Sequence, residues 1–224
     1  LDVIFRVRAQ PAVGEVFSCA GKGELTTASG GNYGIRYRND GGTYKLGGHF
    51  VDDGLLGVRS CEGSLTTALT TGRYYLASYT FSNATKDAFL HYAAGDYRGF
   101  DGDTATTTLA TTNHAGLTPN NASTRPLRFG LEDGAAGDVN GGNIDVAQGY
   151  LVGTADAKAT IDASLWNRHE KSGLCLLRMD EQAGSTVYDR SGNGYNGTLG
   201  NLDKEWSWTD APTNLRYFPS GPTA

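Results

Sequence analysis

TVYDRSGNGYNGTL (residues 186–199) is unusually rich in residues that form tight turns. It follows the apolar run GLCLLRMD (residues 173–180) and places one aspartate between turn-forming residues. The Asn-Gly pairs at 193–194 and 196–197 permit a positive φ at successive turns. Asp189 is able to accept backbone hydrogen bonds from the residues that follow it. The stretch therefore predicts a compact, locked turn that follows a strand.

The composition of the whole chain indicates the same class of fold. The 224 residues include 32 Gly and one Met, with many Thr, Ala and Asn, a mixture typical of short strands joined by tight turns. A chain of this length is able to form a single β-sandwich with a proper core. We therefore expect an all-β protein.

Alternation of side chains supports that class near the N-terminus. Val3, Phe5 and Val7 fall on one face of an extended segment, and Arg6 and Arg8 fall on the other. This period of two predicts a strand in a sheet with one face in water.

A hairpin is the clearest local prediction. In YGIRYRNDGGTYKLGG (residues 33–48), apolar and arginine side chains alternate, and residues 39–42 provide the turn. Further strands are predicted at GEVFSCAG (14–21), LLGVRSCEG (55–63), RYYLASYTF (73–81), DAFLHYAAG (87–95), LRFGLE (127–132), NIDVAQGYLVG (143–153), GLCLLRMD (173–180) and NLRYFP (214–219). This number of strands suits two packed sheets.

Two regions depart from the strand pattern. Residues 95–125 are polar and rich in Gly and Thr, which predicts a long loop excursion. Residues 155–170 hold the one predicted helical turn, with Ile161 and Leu165 four residues apart.

Three segments resemble one known family. LLRMDEQAGSTVYDRSGNGYNGTLGN (176–201) resembles the first strand and loop of laminin-G-like jelly-roll domains in the concanavalin A-like lectin/glucanase superfamily. GRYYLASYTFSNATKDAFLHY (72–92) resembles a later strand pair, although Arg73 and Tyr74 stand where the family has Trp. GGNIDVAQGYLVGTADAKATI (141–161) resembles the closing strand and helical turn, with Asp145 in the matching place. The resemblance implies an antiparallel two-sheet β-sandwich with at most one short helix.

The order of these segments differs from that of the family. The opening segment of the family here follows the closing one. Either the domain is circularly permuted, with residues 173–219 supplying the opening strands, or a second domain begins at about residue 173. Because 24 residues follow Gly200, too few for another core of this kind, we expect one permuted domain over residues 1–224. The run 173–180 is then expected to lie beside the strand at 143–153.

Two roles are open for the Gly-rich stretch. In the first, Asp189 fixes the turn through backbone hydrogen bonds. In the second, Asp189, Asn193 and Asn196 supply oxygen ligands to calcium, which related domains often carry. We favour the turn role and keep calcium as the alternative cofactor.

Enzymatic chemistry has little support in the sequence. Glucanases on this scaffold need two carboxylates that project into one cleft. Asp180 and Glu181 are adjacent and point to opposite faces of a strand, and Asp101 and Asp103 lie in a Gly-rich loop without a Glu. No nucleophile-elbow Ser accompanies the histidines, which we interpret as surface or hydrogen-bonded residues: His49, His91, His114 and His169. We therefore expect no enzyme.

Sugar recognition is the better-supported chemistry. It needs aromatic faces against apolar sugar faces and carboxylate or amide groups against hydroxyls, carried by loops at the rim of a sandwich. The candidate ligand-binding residues are Tyr97, Phe100, Asp101, Asp103, Trp206 and Trp208. The alternative for the tryptophans is packing within the protein, and the alternative for the loop is a solvated excursion.

Charge and cysteine content limit the partners. The formal net charge is −5, and the arginines are spread along strands, so we expect no nucleic-acid partner. No segment has the apolar length of a membrane span, so we expect no membrane insertion. Cys19, Cys61 and Cys175 form an odd set, which we interpret as buried small residues, with one disulfide as the alternative.

These observations predict a non-enzymatic, lectin-like recognition or assembly module. We expect it on an extracellular or virion surface, as a phage capsid decoration or fibre module that binds glycans or neighbouring subunits, and homo-oligomers are one expected form. The alternative is a secreted carbohydrate-binding module or a polysaccharide-degrading enzyme of the same fold. Self-association discriminates between a shell subunit and a monomeric carbohydrate-binding module.

Overall fold

The structure is a computed structural model that describes residues 1–22, 33–52, 57–95, 102–119, 127–130, 143–166, 173–179, 181 and 184–198. The described residues form thirteen strands and one short helix. The first eight strands are β1 (Asp2–Val7), β2 (Val16–Lys22), β3 (Tyr33–Asp40), β4 (Thr43–Val51), β5 (Val58–Ser64), β6 (Tyr74–Phe81), β7 (Asp87–Gly95) and β8 (Thr107–Asn113). The remaining elements are β9 (Leu127–Phe129), β10 (Ile144–Leu151), α1 (Lys158–Asp162), β11 (Cys175–Leu177), β12 (Thr186–Val187) and β13 (Gly197–Thr198).

The strands form two antiparallel sheets packed as a sandwich. The larger sheet has the order β11-β10-β1-β6-β7-β8, and the smaller has the order β5-β4-β3-β2-β9. β12 and β13 pair separately. The predicted all-β, two-sheet antiparallel sandwich with at most one short helix is confirmed, and it is compatible with a jelly roll.

β11 occupies the position that the permuted order predicts for it. It pairs antiparallel with β10, with Leu177 opposite Gly149 and Cys175 opposite Leu151. Within the run 173–180, Cys175–Leu177 therefore lies beside the strand at 143–153, as expected. The predicted strand at 214–219 lies outside the described residues.

The core fills the space between the two sheets. Its largest fully buried side chains include Phe5 of β1, Phe17 of β2, Tyr37 of β3 and Phe50 of β4. Glycine permits close approach at two places. A Cβ on Gly48 would stand 2.0 Å from Cδ2 of the Tyr79 ring. A Cβ on Gly149 would stand 2.2 Å from Cε1 of the Phe129 ring.

The expectation of one wet face on the N-terminal strand is wrong for β1. Ile4 points away from the main core, yet it is buried. It packs with Leu76 of β6 and with Ile161 and Leu165, which belong to the α1 region. The predicted helical turn at 155–170 is confirmed as α1, and it covers the outer face of the larger sheet.

The prediction of one loop excursion over 95–125 is wrong for Thr107–Asn113. These residues form β8, which pairs with β7 at the edge of the larger sheet. An edge strand with one exposed face needs few apolar side chains, and β-branched Thr fits a strand well. The polar sequence TTLATTN therefore resembled a loop.

The predicted hairpin and the prediction of buried cysteines are confirmed. All eight residues of β3 pair with residues 43–50 of β4, and Gly41 and Gly42 make the turn with φ values of 61° and 93°. The side chain of Asn39 closes the turn, since its Oδ1 accepts a hydrogen bond from Gly42 N at 2.9 Å. The three cysteines are all free and buried: Cys19, Cys61 and Cys175.

Candidate functional site

A cleft of about 330 Å³, here called the end cleft, opens at one end of the sandwich. It forms where β1 and β3 begin and where β4, β6 and β10 end. Leu1 fixes one wall, because its N donates to Tyr79 O at 2.9 Å and its O accepts from Tyr79 N at 2.9 Å. The strand ends of both sheets therefore hold the cleft in place.

Aromatic side chains form one wall of the end cleft. Half-buried Tyr33 and Phe81 line it together with buried Phe50. The rings of Phe50 and Phe81 are 4.9 Å apart and tilted by 49°, and His114 meets Phe50 edge-on, also at 4.9 Å. Burial raises the pKa of the Tyr33 hydroxyl, with a further contribution from nearby Cys175. The wall is thus neutral, apolar and held by ring contacts.

Short polar side chains complete the end cleft. Thr80, Asn83, Thr118 and Asp156 lie along it. Asn83 Oδ1 accepts a hydrogen bond from Lys86 Nζ at 2.6 Å, which leaves the amide N–H groups of Asn83 as donors. The arrangement offers hydroxyl, amide and carboxylate groups beside aromatic rings, and this combination binds polyhydroxylated rings.

Behind the end cleft, a polar row crosses the outer face of the larger sheet. Asp2 of β1 lies opposite Ser78 of β6, and Ser78 lies opposite His91 of β7. All three residues are buried, and the pKa of His91 is lowered, first by burial and then by Lys158. His91 Nδ1 is 3.0 Å from Thr108 Oγ1, and Ser78 Oγ has no hydrogen-bond partner. The row therefore lacks the Ser–His hydrogen bond that activates a serine nucleophile.

The outer face of the smaller sheet carries a charged cluster. Arg38 binds Glu62 through two hydrogen bonds of 2.9 and 2.8 Å. His49 is buried in this cluster with Nε2 at 4.0 Å from Glu62 Oε2, and that nitrogen has no hydrogen-bond partner. Burial, with the positive charges of Arg36 and Arg38, lowers the pKa of His49 to about 3.

The prediction of surface or hydrogen-bonded histidines is confirmed for His91 and is wrong for His49 and His114. All three of these residues are buried, and only the ring of His91 makes a hydrogen bond among them. His169 lies outside the described residues. The alternation of polar and apolar residues in the sequence does not show which groups cover the outer face of each sheet.

Asp189 has the predicted turn role. Its Oδ1 accepts hydrogen bonds from Leu176 N and Ser191 N, both at 2.9 Å. Its Oδ2 accepts from Ser191 Oγ at 2.8 Å and from Tyr195 N at 3.0 Å. Burial opposes ionisation of Asp189, but these hydrogen bonds outweigh it and lower the pKa of the carboxyl. We call residues 189–197 the Asp189 turn.

The asparagines of the Asp189 turn also make structural hydrogen bonds. Asn196 Oδ1 accepts from Asp189 N at 2.9 Å, and Asn193 Nδ2 donates to Gly173 O at 3.0 Å. The prediction of successive positive-φ turns is corrected in one place: Gly192 and Gly194 have positive φ, whereas Gly197 begins β13. The pairing of β12 with β13 requires extended backbone there.

These residues do not fit a calcium site. Each oxygen of Asp189 already accepts two hydrogen bonds, and Asn196 Oδ1 accepts one from Asp189 N. Calcium needs six to eight oxygen ligands that face the ion. Within the part of the chain that the structure describes, no three His, Cys, Asp or Glu side chains gather as metal ligands.

Asp103 is the one predicted sugar-binding residue that the structure describes, and it lies away from the end cleft. Its Oδ2 accepts from Ala94 N at 2.8 Å, and its backbone O accepts from Trp166 Nε1 at 3.1 Å. These contacts fix the loop after β7, at the strand end opposite the end cleft. The other predicted residues lie outside the described residues: Tyr97, Phe100, Asp101, Trp206 and Trp208.

Sequence patterns did not indicate the residues that line the end cleft. They belong to strand ends and short turns that are distant in sequence, such as Tyr33, Phe81 and Asp156. The sequence SNATK after β6 was one available signal, since it predicts a tight turn at the rim of the sandwich.

Comparisons with protein-family models, with curated proteins and with solved structures found no match to this chain. Among the described residues, no helix has both the length and the apolar character of a membrane span. The class that the structure defines is therefore a two-sheet antiparallel β-sandwich with a cleft at one end.

Proposed function

We propose that this chain is a non-enzymatic, lectin-like recognition module of the concanavalin A-like kind, and that its end cleft binds a glycan. The observation that carries the proposal is the combination of half-buried Tyr33 and Phe81 with Asn83 and Asp156 in one concave site. Aromatic faces pack on the apolar faces of sugar rings, while amide and carboxylate groups hydrogen-bond to hydroxyls.

The dimensions of the end cleft favour a short ligand. Its volume of about 330 Å³ lies near the lower end of ligand pockets, which span about 300–1,000 Å³. A cleft of this size holds a terminal sugar unit and leaves the rest of a glycan in solvent. Recognition of chain ends on a surface is the role that this geometry supports.

Assembly with neighbouring subunits is the second candidate function. Three exposed apolar or aromatic side chains lie in or beside the Asp189 turn: Leu174 at 46%, Tyr188 at 51% and Tyr195 at 62% exposure. Exposed groups of this kind on a fixed turn favour a protein contact. Glycan binding and subunit contact together suit a phage capsid decoration or fibre module on a virion, or a module on another extracellular surface.

A secreted carbohydrate-binding module or a polysaccharide-degrading enzyme is the alternative. Asp2 and Asp156 both lie along the end cleft, and a pair of carboxylates is the minimum for glycoside hydrolysis. Hydrolysis of a polysaccharide by the wild-type chain, lost in Asp156→Asn, supports the enzyme and contradicts a purely recognition role.

The test of the proposal is a glycan-array comparison of three proteins: wild type, Asn83→Ala and Val13→Ala. Asn83 lines the end cleft, whereas Val13 is 70% exposed near the opposite end of the sandwich. We expect wild type and Val13→Ala to bind the same glycans and Asn83→Ala to lose most of the signal. Equal binding by Asn83→Ala, or no binding by the wild type, contradicts the proposal.

A further inference from the structure

We infer that the end cleft continues over one rim into a second sugar subsite, formed by Leu174 and Asn193, so that its ligand is a glycan of more than one unit. This inference rests on the proposed function and adds the length of the ligand and the direction in which it leaves the cleft. Leu174 lies directly before β11, and Asn193 belongs to the Asp189 turn.

Contacts with the lining of the end cleft place Leu174 at its rim. The backbone N of Leu174 donates to the O of Leu151, a lining residue, at 2.8 Å. Its side chain lies beside Gly153, which also lines the cleft, since a Cβ on Gly153 would stand 3.4 Å from Leu174 Cδ1. Because residue 153 has no side chain, nothing at that position separates the cleft from Leu174.

The side chain of Leu174 provides the apolar surface of the subsite. It is 46% exposed, while the backbone of the same residue is held on both sides. Its O accepts hydrogen bonds from Asn193 Nδ2 at 3.2 Å and from Ser191 Oγ at 3.3 Å. A sugar ring has an apolar face of C–H groups, and burying the exposed part of a leucine against that face is favourable. Since the backbone is already fixed, binding there requires little further ordering of the chain.

Asn193 provides a hydrogen-bond acceptor in a fixed orientation. Its Nδ2 donates to Gly173 O at 3.0 Å and to Leu174 O at 3.2 Å. These two carbonyl partners determine which end of the amide is which, because only the nitrogen is a donor. Asn193 is exposed, and its Oδ1 accepts no hydrogen bond from the part of the chain that the structure describes. This oxygen is therefore available to a sugar hydroxyl beside Leu174.

Together these contacts define a path for a linear glycan. The terminal unit packs against Tyr33 and Phe81 in the end cleft, as in the proposed function. The next unit passes over Gly153, with its apolar face on Leu174 and a hydroxyl directed to Asn193 Oδ1. This unit stays partly in solvent, because Leu174 and Asn193 lie outside the concave part of the site. It adds affinity to the ligand without being enclosed.

The experiment compares monosaccharides with disaccharides of the same sugar by NMR titration. The probes are glucosamine, glucose, galactose and mannose, each with a disaccharide that contains that sugar alone. For at least one sugar we expect the wild type to bind the disaccharide roughly five- to tenfold more tightly than the monosaccharide, which is the gain from burying the exposed half of one leucine side chain.

Three variants assign the gain to the rim. Leu174→Ala should bind the monosaccharide as the wild type does, which also shows that it is folded, and should lose most of the disaccharide gain. Leu174→Met restores an apolar side chain of similar size and should keep the gain. The control Val13→Ala shortens an apolar side chain that is 70% exposed near the opposite end of the sandwich, and it should behave like the wild type.

The outcomes separate this inference from the proposed function. A wild type that binds a monosaccharide but gains nothing from the second unit overturns this inference and leaves the proposed function intact. A Leu174→Ala variant that keeps the full gain does the same. No binding by any of the monosaccharides or disaccharides overturns both.

Discussion

Asp189 Oδ1 lies 2.9 Å from the backbone nitrogen of Leu176, and this hydrogen bond ties the Asp189 turn to β11 at the edge of the larger sheet. Replacing Asp189 with Ala leaves the N–H groups of Leu176, Ser191 and Tyr195 without their acceptor. We expect the free energy of unfolding to fall by about 1–3 kcal/mol. Urea denaturation of the wild type and of Asp189→Ala measures this loss.

The same pair of proteins tests the calcium alternative. Because the oxygens of Asp189 already accept protein hydrogen bonds, the loss should be equal with excess calcium and with a chelator. A ligand that binds only the folded state stabilises it by mass action, so a deficit that grows with calcium concentration contradicts this account. An Asp189→Ala variant as stable as the wild type contradicts the turn role.

Gly48 is expected to tolerate no side chain, because the ring of Tyr79 occupies the space of its Cβ, with Cδ2 at 2.0 Å. Gly48→Ala should destabilise the protein by about 1–3 kcal/mol, as overpacked cores do. The double variant Gly48→Ala/Tyr79→Leu should lose less than the sum of the two single variants, which thermal unfolding of all four proteins measures. Strict additivity would show that the two residues do not compete for this space.

Stability should depend on the ionisation of His49 in acid. Its folded-state pKa is lowered from 6.5 to about 3 by burial and by Arg36 and Arg38, so the unfolded chain binds the proton first. Neutral His49 therefore contributes stability that is fully present above pH 6.5 and is lost as the pH falls from 6.5 towards about 3.

The check is urea denaturation as a function of pH for the wild type, His49→Gln and Ser60→Ala. Over that range His49→Gln should show a shallower fall in stability, by about one proton in the linkage slope. Ser60 lies directly opposite His49 on β5 and does not ionise, so Ser60→Ala serves as the control and should keep the wild-type slope. Identical slopes for all three proteins would refute a buried neutral His49.

Asp103 is expected to support the loop after β7 and to have no part in ligand binding. Asp103→Ala removes the acceptor of Ala94 N, and we expect a loss of about 1 kcal/mol in unfolding free energy. Glycan binding should be unchanged, since Asp103 lies at the strand end opposite the end cleft. Calorimetric unfolding and the glycan array measure the two effects separately. A loss of glycan binding without a loss of stability would show that Asp103 belongs to the ligand site.

The sequence predicted the sandwich because local patterns determine strands and turns. The alternation at Ile35 and Tyr37 and the Gly41-Gly42 turn define the β3–β4 hairpin without help from distant residues. The four hydrogen bonds of Asp189 were partly predictable for the same reason, since those from Ser191 and Tyr195 join residues within one turn.

The end cleft was not predictable in the same way, because packing brings its residues together. Tyr33 and Phe81 come from different sheets, and their proximity depends on where both strands end. β8 was missed because an edge strand with an exposed face keeps a polar sequence. Ile4 was correctly placed in a strand, but its burial depends on α1, which is more than 150 residues away in the chain.

Ligand binding in the end cleft is best tested by a map of backbone amide shifts during titration with glucosamine, galactosamine and mannosamine. If the end cleft is the ligand site, the largest shifts of the bound sugar should fall at Thr80, Phe81 and Gly153, which line it. Asn83→Ala should abolish those shifts at the same sugar concentration. Largest shifts in the loop around Asp103 or at the Asp189 turn, or no saturable shifts with any of the three sugars, would contradict the account.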